Sequence, residues 1–140
     1  MGVVLDETFH RGREDDAEPH AEGVGDRCTF RRGDANKLDF PDESFDAVIS
    51  NYVYHNITNA PDKHDLLRES LRVLKKGGVF ALQDDMKPGM YGDMNAFVKE
   101  LKDAGYEEVR LVDTTEEIFG SKSRAKMLAL GASAALVGRK

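Results

Sequence analysis

The sequence predicts an α/β fold, a mostly parallel sheet with helices on both faces, and three observations carry that prediction. Short apolar runs alternate with amphipathic segments along the whole chain. Two runs, Phe45 to Ser50 and Gly78 to Gln83, are apolar in the middle rather than alternating, as strands covered on both faces are. Four successive strands of parallel type close on polar groups: Asp6-Glu7, Gly33-Asp34-Ala35, Ser50-Asn51 and Asp84-Asp85.

The elements follow in order. Gly2 to Leu5 is a short strand that stops at Asp6-Glu7. His10 to Glu22 is a weak helix candidate, mostly charged and interrupted by Pro19. Gly23-Val24-Gly25-Asp26 turns the chain into a strand from Cys28 to Arg32, whose terminal arginines suit a sheet edge. Pro41-Asp42-Glu43-Ser44 then feeds the strand Phe45 to Ser50.

The clearest helix is expected over Pro61 to Lys76. Leu67, Leu71 and Leu74 lie at i, i+4 and i+7, with Leu66 and Val73 widening the stripe. Asp62 opens it, Lys75-Lys76 closes it, and Gly77 is read as its stop. After the strand Gly78 to Gln83, a loop holding Pro88, Gly89 and Gly92 leads to a helix from Asp93 to Ala104. Met94, Phe97, Val98 and Leu101 form its apolar face. Glu108 to Val112 reads as a strand, Ser121 to Leu130 as a short helix, and Ala134 to Val137 as a final strand.

The 140 residues have room for a single domain, read over 1–140. Twenty basic against 26 acidic residues leave a net charge of −6, which argues against a nucleic-acid partner. The lone cysteine, Cys28, excludes an intramolecular disulfide, and His10, His20, His55 and His64 show no metal-ligand spacing. No apolar stretch is long enough to span a bilayer, and the first residues lack the pattern of a signal peptide. The chain therefore reads as soluble and cytoplasmic.

In an open α/β sheet, ligands gather at the carboxyl ends of the strands. The polar ends of these four strands thus point to a ligand with several hydrogen-bonding groups.

Gly33-Asp34-Ala35 and the run from Leu38 to Asn51 (Leu-Asp-Phe-Pro-Asp-Glu-Ser-Phe-Asp-Ala-Val-Ile-Ser-Asn) carry a resemblance. His55-Asn56-Ile57, Arg72-Val73-Leu74-Lys75-Lys76-Gly77-Gly78, Gly105-Tyr106 and Leu136 to Lys140 continue it in order. As a set they resemble a class I S-adenosylmethionine-dependent methyltransferase, of the type 11-like kind, from about Glu22 to the C-terminus. The resemblance implies a Rossmann-like methyltransferase fold, S-adenosyl-L-methionine as cofactor and a small-molecule methyl acceptor.

It also implies roles for particular residues. Asp34 would accept a hydrogen bond from the adenine amino group, Ala35 would present its amide to the ring, and Leu38 or Phe40 would flank it. Ser50 and Asn51 would lie beside the methionine part, with Tyr54 and His55 near the transferred methyl. His55 is the first candidate for a general base and Asp85 the second, since imidazole and carboxylate both suit proton transfer. Set against these, Asp34 would also serve as a cap for the turn at Asn36-Lys37, and Tyr54 as a packing residue.

One family feature is missing. Members place a glycine-rich turn after their first strand, and no such turn occurs in this sequence. The chain is expected to begin at the family's second strand, N-terminally truncated, with Asp6 or Glu7 where the ribose-binding carboxylate belongs. The lost strand would leave a gap of about 9 to 10 Å beside the strand ending at Ser50, or force direct pairing across it. That edge invites a homodimer. A catalytically inactive fragment acting as a dimerising or partner-binding module is the alternative reading. A phosphorylation-receiver domain, suggested by Asp84 to Gly92, fails on spacing because the acidic pair that closes an earlier strand, Asp6-Glu7, is far too distant and no Lys-Pro closes a later strand.

Overall fold

The computed structural model describes residues 2–5, 28–31, 33–128 and 131–140. They belong to two compact units, Met1–Asp39 and Phe40–Lys140. In the first, β1 (Gly2–Leu5) pairs in parallel with β2 (Cys28–Arg31), Gly2 opposite Cys28 and Leu5 opposite Arg31. The segment between them, with Asp6, Glu7, the helix candidate over His10 to Glu22 and the Gly23–Gly25 turn, lies outside the described residues.

The second unit holds a four-stranded sheet in the order β3-β4-β6-β5. β3 (Phe45–Asn51) runs parallel to β4 (Leu74–Asp85). The final strand, β6 (Ser133–Arg139), inserts between β4 and β5 (Glu108–Asp113), antiparallel to both. This settles the direction of the last two strands, which pattern alone leaves open. The helices are α1 (Lys63–Arg72), α2 (Pro88–Tyr91), α3 (Met94–Asp103), α4 (Thr115–Phe119) and α5 (Lys122–Met127).

α1 forms where expected, with Asp62 accepting from the His64 amide at 2.9 Å as its N-cap. It stops at Arg72, however, and Lys75-Lys76-Gly77 belong to β4. The reason lies in the helix's last carbonyls. Glu43 N–H donates to Arg72 O at 3.0 Å, Ser44 N–H to Val73 O at 2.8 Å, and Lys140 Nζ to Leu71 O at 2.9 Å. With those acceptors taken by the turn before β3 and by the chain end, the helix gains nothing by continuing. Gly77 (φ +77°) and Gly78 instead absorb a register shift, since Phe45 lies opposite Leu74 but Ala47 opposite Val79. A Cβ on Gly78 would meet Asp46 O at 2.9 Å and Leu74 Cδ1 at 2.6 Å.

α3 follows its prediction, capped by Asp93, which accepts from Asn95 N at 2.9 Å and Ala96 N at 3.1 Å. The helix predicted from Ser121 is present as α5, and α2 and α4 are additions that local pattern does not reveal.

Cross-strand register divides the sheet into two faces. Phe80, Leu82, Val109 and Leu136 are buried on one face, with α1 packed on β4 and α3 on β5. On the opposite face Ile49 is 83% exposed, Val79 43% and Val112 37%. β3 thus departs from the expectation that it is covered on both faces. Its central apolar run reflects half-burial of one face and exposure of apolar residues on the other.

Candidate functional site

The carboxyl ends of β3 and β4 lie side by side, Ser50 opposite Leu82 and Asn51 opposite Gln83. Parallel pairing therefore brings Ser50-Asn51 and Asp84-Asp85 to one end of the sheet. Beyond Asn51 the chain bends sharply. Tyr52 takes a φ of +54°, a left-handed conformation unfavourable for a side chain of its size. Its amide donates to Gln83 O at 2.8 Å, and its hydroxyl shares a hydrogen bond with Ser133 Oγ. Ser133 in turn lies 2.9 Å from Thr114 Oγ1, which accepts from Gln83 Nε2 at 3.2 Å. These contacts hold the strained turn in place.

The turn delivers a single 3-10 helical turn, Tyr54–Asn56, against the end of β4. Asp84 there is fully buried. Its Oδ2 accepts from the His55 amide at 2.9 Å and from the Tyr91 hydroxyl at 2.8 Å. Its Oδ1 lies 2.5 Å from His55 Nδ1 and accepts the Asp85 amide at 2.7 Å. A buried carboxylate needs such partners, because desolvation is otherwise costly. Nδ1 is thereby committed to Asp84, and Nε2 is the ring nitrogen left for chemistry. The His55 side chain keeps a quarter of its surface exposed.

Neighbouring groups are buried around this pair. The Tyr54 hydroxyl meets Ser70 Oγ at 2.8 Å, and burial, with the Asp84 charge adding, pushes the phenol above its usual range. Tyr91 is shifted upward as well, first by burial and then by Asp84. Lys63, only 5% exposed, donates to Ile57 O and is lowered by burial, with Asp84 opposing the shift. The turn is thus fastened at both ends.

The expected residues fall into two groups. Ser50, Asn51, Tyr54 and His55 share the second unit, where the first two end β3 and the others form the turn. Tyr54 is 4% exposed and its hydroxyl is engaged by Ser70. Asp34, Ala35 and Leu38 belong to the first unit. Asp34 Oδ1 accepts from Asn36 N and Nδ2, both at 2.9 Å, which lowers its pKa, and Ala35 and Leu38 are each 8% exposed. Asp6 lies outside the described residues.

Asp85, the second base candidate, does not meet His55. It follows Asp84 on a strand, so its side chain leaves the other face, where Oδ2 pairs with Lys87 Nζ at 2.6 Å. Asp84, Tyr52 and Tyr91 complete the cluster and escape sequence reasoning. In the sequence Asp84 reads only as a polar strand end, and nothing in local pattern distinguishes Tyr91 from a loop residue.

Ser50 Oγ is buried and makes no hydrogen bond of regular geometry, although it is near enough to Tyr54 to influence its phenol. Ser50 thus offers a buried hydroxyl with unused capacity on the face that carries Asp84, while Asn51, next on the strand, leaves the opposite face and is exposed.

Comparison with known proteins gives this geometry its context. Residues 5–82 match a family model described as a methyltransferase domain. A sterol 24-C-methyltransferase of Yarrowia lipolytica is 39% identical over 74 residues, 53% of this chain and 19% of that protein. A ubiquinone/menaquinone biosynthesis C-methyltransferase of Ectopseudomonas mendocina is 43% identical over 67 residues, 48% of this chain and 25% of that protein. The chain thus spans a quarter or less of the length of these two relatives. A solved structure described as a sarcosine dimethylglycine methyltransferase from Galdieria sulphuraria superposes with a TM-score of 0.62 at 16% identity, covering 89% of this chain and 63% of that one. An S-adenosylmethionine-dependent methyltransferase from Mesorhizobium loti gives 0.60 at 17% identity, over 99% and 79%. The solved structure of a [4+2]-cyclase shares the fold with a TM-score of 0.60 at 20% identity, over 87% and 60%.

Proposed function

Because the chain belongs to the methyltransferase-domain family, we propose that residues 1–140 form a partial domain for S-adenosylmethionine-dependent methyl transfer to a small molecule. The pairing of His55 with buried Asp84 at the strand ends carries this reading. The names of the sterol and quinone methyltransferases above support a small-molecule acceptor.

In this proposal Ser50 and Asn51 hold the methionine end of the cofactor, and Asp34, Ala35 and Leu38 the adenine end. The cofactor supplies an electrophilic methyl when bound, so the protein's task is alignment and exclusion of water. His55 Nε2 accepts a proton from the acceptor while Asp84 holds the ring's other nitrogen and stabilises the resulting imidazolium. Tyr91 and the His55 amide keep the Asp84 carboxylate satisfied. Tyr54, buried on Ser70, holds the turn. The acceptor therefore carries a group that loses a proton as it is methylated. Association of two copies through the side of β3 that carries no ladder among the described residues is part of the same proposal.

Equilibrium titration with S-adenosylhomocysteine tests the cofactor assignment. Saturable binding is expected, weakened in Asn51→Ala and Asp34→Ala by about 1 to 3 kcal/mol each through lost hydrogen bonds. Absence of saturable binding to the folded chain would overturn the proposal.

A further inference from the structure

We infer that Tyr52 is a positioning residue for His55, setting the direction in which the ring presents Nε2. The inference rests on the reading of His55 as the base, and it adds a second support to the one that Asp84 supplies. Two torsions decide where an imidazole points, and a single bond at Nδ1 does not fix both. The Tyr52 ring supplies the missing restraint. It stands edge-on to the His55 ring, with centroids 6.2 Å apart and planes at 82°. In that arrangement the edge of one ring is attracted to the face of the other.

Tyr52 is itself held in a closed circuit of hydrogen bonds. Its amide donates to Gln83 O at 2.8 Å, and Gln83 Nε2 donates to Thr114 Oγ1 at 3.2 Å. Thr114 Oγ1 lies 2.9 Å from Ser133 Oγ, which meets the Tyr52 hydroxyl and returns the circuit to its start. The anchor at Ser133 is firm. That residue is 1% exposed, and its carbonyl accepts from the Thr114 amide at 3.0 Å and from Thr115 Oγ1 at 3.2 Å. In the strand order β3-β4-β6, the Tyr52 side chain crosses the end of β4 to reach β6. A long side chain with a polar tip is what that crossing requires.

The backbone at Tyr52 points the same way. Its φ of +54° is a conformation that glycine or asparagine adopts with less strain. Either would relax the turn and lose the ring. A strained tyrosine persists where its surroundings over-determine it, and here they do so beside a candidate for proton transfer. Asp84, Ser70 and Lys63 already fasten the following turn to the fold, so the ring contact is left to act on direction.

Nuclear magnetic resonance of the full chain tests this. In the unaltered protein, Overhauser contacts between the Tyr52 and His55 ring protons are expected, and their absence would overturn the inference whatever the variants do. Tyr52→Phe keeps the ring and cuts the circuit, and Ser133→Ala cuts it from the other side. Each should speed exchange of the His55 Nδ1 proton with water by about tenfold, as loss of one hydrogen bond from a locally opening turn does. The double variant should match either single one, because both remove the same bond. Gly138→Ala, which strains the sheet away from the turn, should lower Tm and leave that exchange as it is. Unchanged exchange in both folded single variants, or equal acceleration in Gly138→Ala, would reduce Tyr52 to a support of the fold. Titration with S-adenosylhomocysteine decides the cofactor reading separately, and its failure would leave these ring measurements standing.

Discussion

His55 Nδ1 lies 2.5 Å from Asp84 Oδ1, and the same carboxylate also accepts the His55 amide at 2.9 Å. Ring and backbone of one residue are thus held by one buried acid, which fixes both tautomer and turn. Long-range proton–nitrogen spectra of the neutral protein should show His55 protonated at Nδ1. Asp84→Asn should produce a mixture of tautomers. A wild-type ring protonated at Nε2 would remove the proposed base. With an acceptor in hand, His55→Ala should lower kcat by about 10²- to 10⁴-fold while leaving S-adenosylhomocysteine affinity unchanged.

Tyr91 donates to Asp84 Oδ2 at 2.8 Å from an almost fully buried position. Tyr91→Phe removes that donor and leaves a buried carboxylate short of one bond. The expected loss is about 1 to 3 kcal/mol of stability, read from denaturant unfolding. The substitution should also shift the His55 ring resonances, since the two groups share one acid. No change in either measurement would mean that Asp84 is satisfied without Tyr91.

How far the sequence carries depends on whether a feature is local. The stripe of Leu66, Leu67 and Leu71 and the capping aspartates Asp62 and Asp93 are local signals, and α1 and α3 form on them. The end of α1 is not local, because Glu43, Ser44 and Lys140 claim its last carbonyls from distant positions. The site divides in the same way. Ser50, Asn51 and His55 are legible as strand end and following turn. The choice of Asp84 over Asp85 is decided by which face each side chain leaves, and Tyr91 arrives on a one-turn helix that pattern does not mark.

Gly138 is required by close approach. A Cβ there would stand 1.9 Å from Glu108 O and 2.8 Å from Phe80 Cζ, between β5 and the covered face. Neither neighbour has room to retreat, since Phe80 is buried and Glu108 is part of the ladder. Gly138→Ala should cost about 2 to 3 kcal/mol and lower Tm by roughly 8 °C or more. Gly89→Ala, where a Cβ meets nothing within 4 Å, is the matched control and should leave Tm nearly unchanged. Equal melting temperatures for the two variants would contradict the packing of β5 against β6.

Arg68 grips Glu100 with two bonds, Nε to Oε1 at 2.8 Å and Nη2 to Oε2 at 2.9 Å, tying α1 to α3. Arg68 holds the Glu100 carboxyl below the usual range for a glutamate. A carboxyl lowered in the folded state contributes stability that is present above its unfolded value and lost as pH falls through the folded one. Both side chains are more than a third exposed, so solvent screening limits the pair to about 0.5 kcal/mol, bidentate geometry included. Glu100→Gln should therefore lower Tm by roughly 2 °C at neutral pH. The difference should shrink as pH falls below about 4.5 and vanish once Glu100 is protonated in both states. Added salt should shrink it too. A difference that persists unchanged in acid would assign the effect to packing of the side chain and not to its charge.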